Sequence, residues 1–232
     1  MDTSELKWWP IGLHGPVEFV PVSIEFVGTV VTESELLTHL GRCAGVAYRG
    51  KASVSDEEAA TKRALNCIRM GHHSVLEHMH MSTLSIVDRG TSHALVRHRH
   101  TAFTQSSTIY QKYDKLVSCV ARPNIDPVTE KEVPQLDDED IDTIKIAAFE
   151  YIDGVNVGHA PSIERDLLPT MLATSMIITT HIGQYVYMAK RRQGAGDAVR
   201  THVWAKILEE KLQYHFPKTM EAFDCYYARR PL

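Results

Sequence analysis

Apolar residues in this chain change period, and the change leaves room for one broad architecture. Over Val17–Val31, the positions Phe19, Ile24, Phe26, Val30 and Val31 give mixed alternation with β-branched enrichment, which reads as a strand or hairpin. Helical spacing follows. Thr32 with Glu35 is a capping-box signature, and Leu36, Leu37, Leu40, Cys43 and Ala44 recur behind it. A second box, Ser55 with Glu58, opens a helix whose Ala60, Ala64, Leu65 and Ile68 share one face and which should stop at Gly71. His78–Val87 alternates again as a strand, and a short helix starts near Thr91 and runs toward Arg99. Pro123, Pro127 and Pro134 mark a loop. The acidic run Asp137–Asp140 then opens a helix carrying Ile141, Ile144, Ala148 and Ile152, closed at Gly154. Leu167–Met188 is a long apolar stretch that fits a buried helix, though periodicity does not exclude a strand. A last helix spans about Asp197–Tyr214 and ends before Pro217. The expectation is an α+β fold with most of its sheet in the N-terminal half.

Composition narrows the class. The 232 residues are 44% hydrophobic and 23% charged, with 25 Lys and Arg against 29 Asp and Glu, a formal balance of −4. That excludes intrinsic disorder, collagen-like repeats and a coiled coil, and argues against a surface wholly given to nucleic acid. Cys43, Cys67, Cys119 and Cys225 form no CxxC pair, so thiolate zinc and a disulfide framework are not expected. No apolar run approaches the roughly 20 residues of a membrane span. Met1–Pro10 carries acidic residues and Trp8-Trp9 where a signal peptide would be basic and then apolar, so a cytoplasmic protein is expected.

Histidine is the compositional outlier. Seven of the thirteen (His72, His73, His78, His80, His93, His98 and His100) fall within 29 residues that also hold Glu77, Arg89, Arg97 and Arg99. Arginine offers a rigid donor fork to phosphate, and histidine donates to or stacks on a ring, so the cluster suits an anionic, planar ligand. His73, Glu77, His78 and His80 are conceivable metal ligands, but their spacing is not HExxH and no metal is expected. Arg192-Gln193-Gly194-Ala195-Gly196 lacks the GxGxxG pattern of a dinucleotide loop. Ser107 reads as a phosphate hydrogen-bonder, since no nucleophile elbow accompanies it.

Two segments bring a family into view. Gly71-His72-His73-Ser74-Val75-Leu76-Glu77-His78 resembles the GHxSxxEH segment of the flavin-dependent thymidylate synthases (ThyX), and Arg97-His98-Arg99, with Ser107 downstream, resembles their RHR signature. Gly41-Arg42-Cys43-Ala44-Gly45-Val46-Ala47-Tyr48 looks like the family's first helix. Ser92-His93, Arg165 ahead of Pro169, Phe216-Pro217 and Glu221-Ala222-Phe223 extend the likeness to about residues 24–225. The resemblance implies a ThyX-like fold with a central antiparallel sheet packed with helices, as a single domain over 1–232. Residues 1–23 would be an N-terminal extension and 116–137 a Pro-rich loop. It implies FAD held between subunits of a homotetramer and reduced by NADPH. A methylene from methylenetetrahydrofolate is then transferred reductively to carbon 5 of dUMP, with no cysteine nucleophile and neither nucleic acid nor membrane as partner. Carried over residue by residue, it places His72, Ser74, Glu77, Arg97, Arg99 and His100 near flavin. Arg97, Gln105, Ser107, Arg165 and Arg192 fall near the nucleotide, with Arg165 on its phosphate and Arg97 and Arg192 as the catalytic cations.

The departures are as informative. Ala94 stands where the family commonly has Gln, Ile109 where it has an arginine, and His181 and Gly183 where it has Asn and Arg. Asp197, Ala198, Arg200, Thr201 and His202 fall on a degraded C-terminal segment. Either the pocket is rebuilt for a related pyrimidine nucleotide, UMP above all, as in the ThyX-like uridylate methylases of polyoxin-type antibiotic pathways, or catalysis is lost and a silent uridylate-binding paralogue remains. A histidine-ligated metal hydrolase is the reading from another class.

Overall fold

The computed structural model describes residues 2–28, 31–47, 56–194 and 196–231. In chain order the elements are β1 (Trp8–Trp9), β2 (Gly12–His14), β3 (Val17–Val20), β4 (Ser23–Val27), α1 (Glu33–Gly45), α2 (Glu57–Met70), β5 (His80–Asp88), α3 (Arg89–Leu95), β6 (Ala102–Gln105), β7 (Val117–Val120), β8 (Arg122–Pro123), α4 (Asp138–Asn156), α5 (Pro161–Glu164), β9 (Ala173–His181), α6 (Ile182–Arg191), α7 (Val199–His215) and α8 (Pro217–Tyr227).

The main sheet is antiparallel in the order β4-β5-β9-β6, so the fold is α+β as expected, with three of its four strands from the N-terminal half. The fourth, β9, comes from the stretch read as a buried helix. That stretch divides at His181 into strand and helix; β9, with its β-branched run Ile177–Thr180, pairs along the whole of β5. One face of the sheet carries Met81, Thr83, Ser85 and Val87 beside Met176, Ile178 and Thr180, all buried under α6, α7 and α8 with Trp204, Phe216 and Phe223. Two polar tips order this core: Tyr185 Oη donates to the Ile178 carbonyl at 2.7 Å, and Trp204 Nε1 donates to Ser85 Oγ at 3.1 Å. The other face, with Ser82, Leu84, Ile86, Ile177 and Thr179, is half-buried.

Helix starts follow the sequence closely. Thr32 caps α1 and Asp137 caps α4 with both halves of the box formed, and Gly71 ends α2 at φ +81°. Ser55, Tyr48, Val30 and Ala195 lie outside the described residues, and the observed cap of α2 is Asp56, which accepts from Ala59 N–H at 3.0 Å. Three expectations are corrected. Gly154 does not close α4, which continues to Asn156; Gly154 faces Glu164 from inside the helix. The Pro-rich segment 116–137 is not merely a loop: it carries β7, which pairs parallel with β3, and β8, which pairs with β1. A further helix, α8, follows Pro217 because proline is tolerated in a first helical turn.

β2, β3 and β7 form a second, three-stranded sheet. With α4 it encloses a separate apolar cluster of Val17, Phe19, Val117, Cys119, Ile141, Ala148 and Tyr151. The N-terminal extension and the Pro-rich segment thus bury each other. Among the described residues no helix is long and apolar enough to cross a membrane.

α1 and α2 cross at Gly41, where a Cβ would fall 1.9 Å from the Ala60 carbonyl oxygen. A backbone atom cannot swing aside, so Gly41→Ala forces the helices apart. It is expected to lower unfolding stability by about 3 kcal/mol, read by denaturant melts; an unchanged midpoint would show that the crossing is looser than described.

Candidate functional site

The turn after α2 presents the first motif. Leu76, fully buried, anchors the 3₁₀ turn His73–His78 to the core, and the side chains of His72, Ser74, Glu77 and His78 are left on the exposed side. His73 turns inward, with its ring 4.6 Å from that of Tyr226 and 5.6 Å from that of Phe223. Gly71 makes this approach possible: a Cβ there would lie 2.7 Å from Arg230 Nη1 and 2.8 Å from Tyr226 Cε2. The C-terminal end of α8 therefore closes over the motif.

The second motif alternates in and out. After α3, Arg97 and Arg99 are exposed and His98 is buried. Burial, and then the neighbouring Arg192 guanidinium, push the His98 pKa down to about 4, so its ring is neutral at pH 7 and Nε2 accepts from Arg192 Nε–H at 2.8 Å. Arg192 also donates to Asp197 Oδ1 and to the Ala94 carbonyl, both at 2.9 Å, which leaves two of its five N–H groups without an acceptor among the described residues. The backbone beyond is clamped: Gln184 Nε2 donates to the Arg99 carbonyl at 3.2 Å and Thr180 Oγ1 to the His100 carbonyl at 2.9 Å. His100 itself sits at φ +61°, a conformation uncommon outside glycine.

Glu77 of the first motif and His100, the residue after the second, share a cleft of about 460 Å³, which His72, Ser74, Arg97 and Arg99 do not line. Glu77 and His100 line it together with His181, Gly183, Gln184 and Tyr187, and Tyr226, Tyr227 and Arg230 form its C-terminal wall. Two of the departures, His181 and Gly183, line the same cleft as Glu77 and His100. Burial holds the His73 and His181 imidazoles below the ordinary histidine range. The Arg230 guanidinium lies 5.3 Å from the Tyr226 ring. Among the described residues Glu77 is the sole acid lining the cleft.

The residues expected at the nucleotide do not line this cleft. Gln105 Nε2 donates to Ser92 Oγ at 2.9 Å and Thr174 Oγ1 at 3.2 Å, and Ser107 Oγ accepts from Ile109 N–H at 3.2 Å. Arg165 is exposed on the turn Arg165–Leu167. A second cleft, about 240 Å³, opens beside the Ser107 loop, where Ser106, Gln111 and Tyr113 face Glu18 and Ser118. Sequence reasoning missed Glu18, Tyr226 and Arg230, because each reaches its cleft by tertiary folding from a segment with no motif. Among the described residues no three His, Cys, Asp or Glu side chains gather as a metal site.

The neutral state of His98 has a consequence for stability. An unfolded chain takes up a proton below about pH 6.5 that the folded chain refuses until about pH 4, so His98 lowers stability across that window as pH falls. At pH 5 the loss is on the order of 2 kcal/mol. His98→Gln keeps an acceptor for Arg192 and does not titrate, so its stability should fall less between pH 7.5 and pH 5 than that of the parent. Equal falls in denaturant melts would place the titrating group elsewhere.

No curated protein matches the chain. Among solved structures it resembles the UMP/dUMP methylase PolB from Streptomyces cacaoi bound with 5-Br dUMP, with TM-score 0.72 at 19% identity over 90% of this chain and 97% of that one. The same methylase bound with 5-Br UMP superposes with TM-score 0.67 at 18% identity over 91% and 97%. At these identities the likeness speaks for the fold. Residues 24–218 match the family described as thymidylate synthase complementing protein, and with most of its length so matched the chain belongs to that family.

Proposed function

We propose that this protein is a flavin-dependent enzyme that methylates carbon 5 of a uridine monophosphate, dUMP to dTMP or UMP to 5-methyl-UMP. Methylenetetrahydrofolate would be its carbon donor and NADPH its reductant. The observation that carries the reading is that Glu77, of the first motif, and His100, directly after the second and more than twenty residues on, line one cleft. Its donor set fits a planar, anionic cofactor such as FAD: the Gln184 amide, tyrosine hydroxyls, imidazoles and Arg230 outnumber the one acid. The His73 Nε2 in its wall has no partner among the described residues, as befits a site that expects a further polar group.

When bound, FAD supplies the hydride chemistry. This chain's residues bind and orient. In this reading His72, Ser74, Glu77, Arg99 and His100 hold the flavin, and Arg97, between the two ligands, stabilises negative charge on the ring that accepts hydride. Gln105 and Ser107 hold the nucleotide, Arg165 its phosphate, and Arg192, fixed by neutral His98, keeps two N–H groups to offer. Because the nucleotide residues lie outside the cleft of Glu77 and His100, one chain does not assemble the whole site. A homotetramer with sites between subunits completes it, and the half-buried outer face of the main sheet is available for such packing.

The test is the visible absorption spectrum of the purified protein, alone and titrated with dUMP and with UMP. A flavin spectrum perturbed by either nucleotide is expected. Arg99→Ala and His72→Ala should each weaken FAD binding about tenfold or more, the worth of one charge-assisted hydrogen bond. A colourless protein that FAD does not reconstitute overturns the flavoenzyme. Uridylate binding without flavin reduction by NADPH identifies the silent paralogue, the reading favoured by the internal hydrogen bonds of Gln105 and Arg192.

A further inference from the structure

The extension and the Pro-rich segment meet where the nucleotide loop begins. β3 and β7 pair in parallel with Glu18 opposite Ser118, and Ser118 Oγ donates to Glu18 Oε2 at 3.3 Å. These two side chains form one wall of the 240 Å³ cleft, and Ser106, Gln111 and Tyr113 form the other. Ser107 lies in the same loop. The family match begins at residue 24, and Glu18 lies six residues before it.

The chemistry of this cleft is distinctive. Glu18 is half-buried, and Ser118 is its single side-chain hydrogen-bond partner among the described residues. Among the described residues no lysine or arginine lines the cleft, and the nearby Arg89 is engaged with the Ser106 carbonyl at 3.2 Å; the other polar side chains of the lining are hydroxyls and an amide. A carboxylate removed from bulk water is costly unless donors reach its remaining lone pairs, and one serine at 3.3 Å leaves most of them free. A phosphate would be repelled by the carboxylate. A vicinal diol is suited to it, because two adjacent O–H groups donate to one carboxylate and carry no charge.

We propose that Glu18 is the residue that distinguishes ribose from deoxyribose in the uridylate substrate, its carboxylate accepting hydrogen bonds from the 2′- and 3′-hydroxyls. This rests on the uridylate reading above and deepens it: a carboxylate on β3 makes the site favour the ribonucleotide. With one of the two hydroxyls gone, dUMP loses a hydrogen bond to a charged group, a difference of roughly tenfold to a hundredfold in affinity.

Calorimetric titration of the purified protein with UMP and with dUMP tests this, on the parent, on Glu18→Gln and on Glu18→Ala, with thermal melts to establish folding. The parent is expected to bind UMP at least tenfold more tightly than dUMP. Both variants should bring the ratio toward one by weakening UMP, which loses two hydrogen bonds to the carboxylate, about tenfold more than dUMP, which loses only that of its 3′-hydroxyl. A ratio unchanged in the folded variants overturns the role of Glu18 and leaves the uridylate reading standing. Equal weakening of both nucleotides overturns it too, since the carboxylate would then meet base or phosphate. Binding of neither nucleotide by the parent overturns the uridylate reading and this inference with it.

Discussion

The structure turns on the β5–β9 ladder, in which nine consecutive residues of each strand pair from His80 opposite His181 to Asp88 opposite Ala173. Each strand runs straight into a helix, and its last residue is the cap. Asp88 Oδ1 accepts from Thr91 N–H at 2.8 Å to start α3, and His181 Nδ1 accepts from Gln184 N–H at 3.3 Å to start α6. Because the strands are antiparallel, the two helices leave from opposite ends of the ladder and approach each other. They are tied where Arg192, after α6, reaches the Ala94 carbonyl in the last turn of α3 and His98 beyond it. With no loop at either junction, the ladder's register sets the motif arginines relative to the histidine cleft. A one-residue slip would turn Thr83, Ser85, Met176 and Ile178 out of the core, so burial holds the register.

Positions that break the family pattern in the C-terminal segment are employed elsewhere. Arg200 donates to the Ala121 carbonyl at 2.9 Å and to the Val120 carbonyl at 2.8 Å, at the end of β7. The buried His202 ring lies between Asp126, 2.9 Å from Nδ1, and the Gly194 carbonyl, 3.0 Å from Nε2. Burial works against the Asp126 carboxylate, yet hydrogen bonds from Val128 N–H and His202 hold its pKa below the ordinary range. These contacts fasten the Pro-rich segment to the start of α7 and to the loop that carries Asp197, the partner of Arg192. Nothing in the structure explains Ile109.

What was legible in the sequence was local. Thr32, Asp137 and Gly71 announce their helix ends because capping is decided within four residues, and the alternation of β5 is plain because one face is wholly buried. β9 was ambiguous: its two faces differ little in polarity, with Thr174 and Thr180 buried and Ile177 half-exposed. β7 was hidden by the prolines around it, and its pairing with β3 spans a hundred residues, beyond any periodic signal. The motifs located Glu77 and His100 but not the split within Arg97-His98-Arg99, where the middle residue is a buried neutral acceptor that positions Arg192. Its inward turn is set by Tyr187, whose ring lies 5.8 Å from that of His98, and by α6, which no local pattern can show.

Charge is apportioned along the same lines. The formal balance is −4, yet no Asp or Glu occurs between Asp88 and Asp114, a stretch holding Arg89, Arg97, Arg99 and Lys112, nor between Asp166 and Asp197, which encloses Lys190, Arg191 and Arg192. Those are the two arms that leave the β5–β9 ladder. Acid is concentrated instead on α4, where Asp138, Glu139, Asp140, Asp142, Glu150 and Asp153 follow one another on the far sub-core. At physiological ionic strength fields decay over about 8 Å, so what an incoming anion meets is the sign of the nearest arm and not that of the whole chain. A slightly acidic protein can therefore present a cationic site, and the exposed Arg97 and Arg99, with no salt-bridge partner among the described residues, are where that field is least compensated.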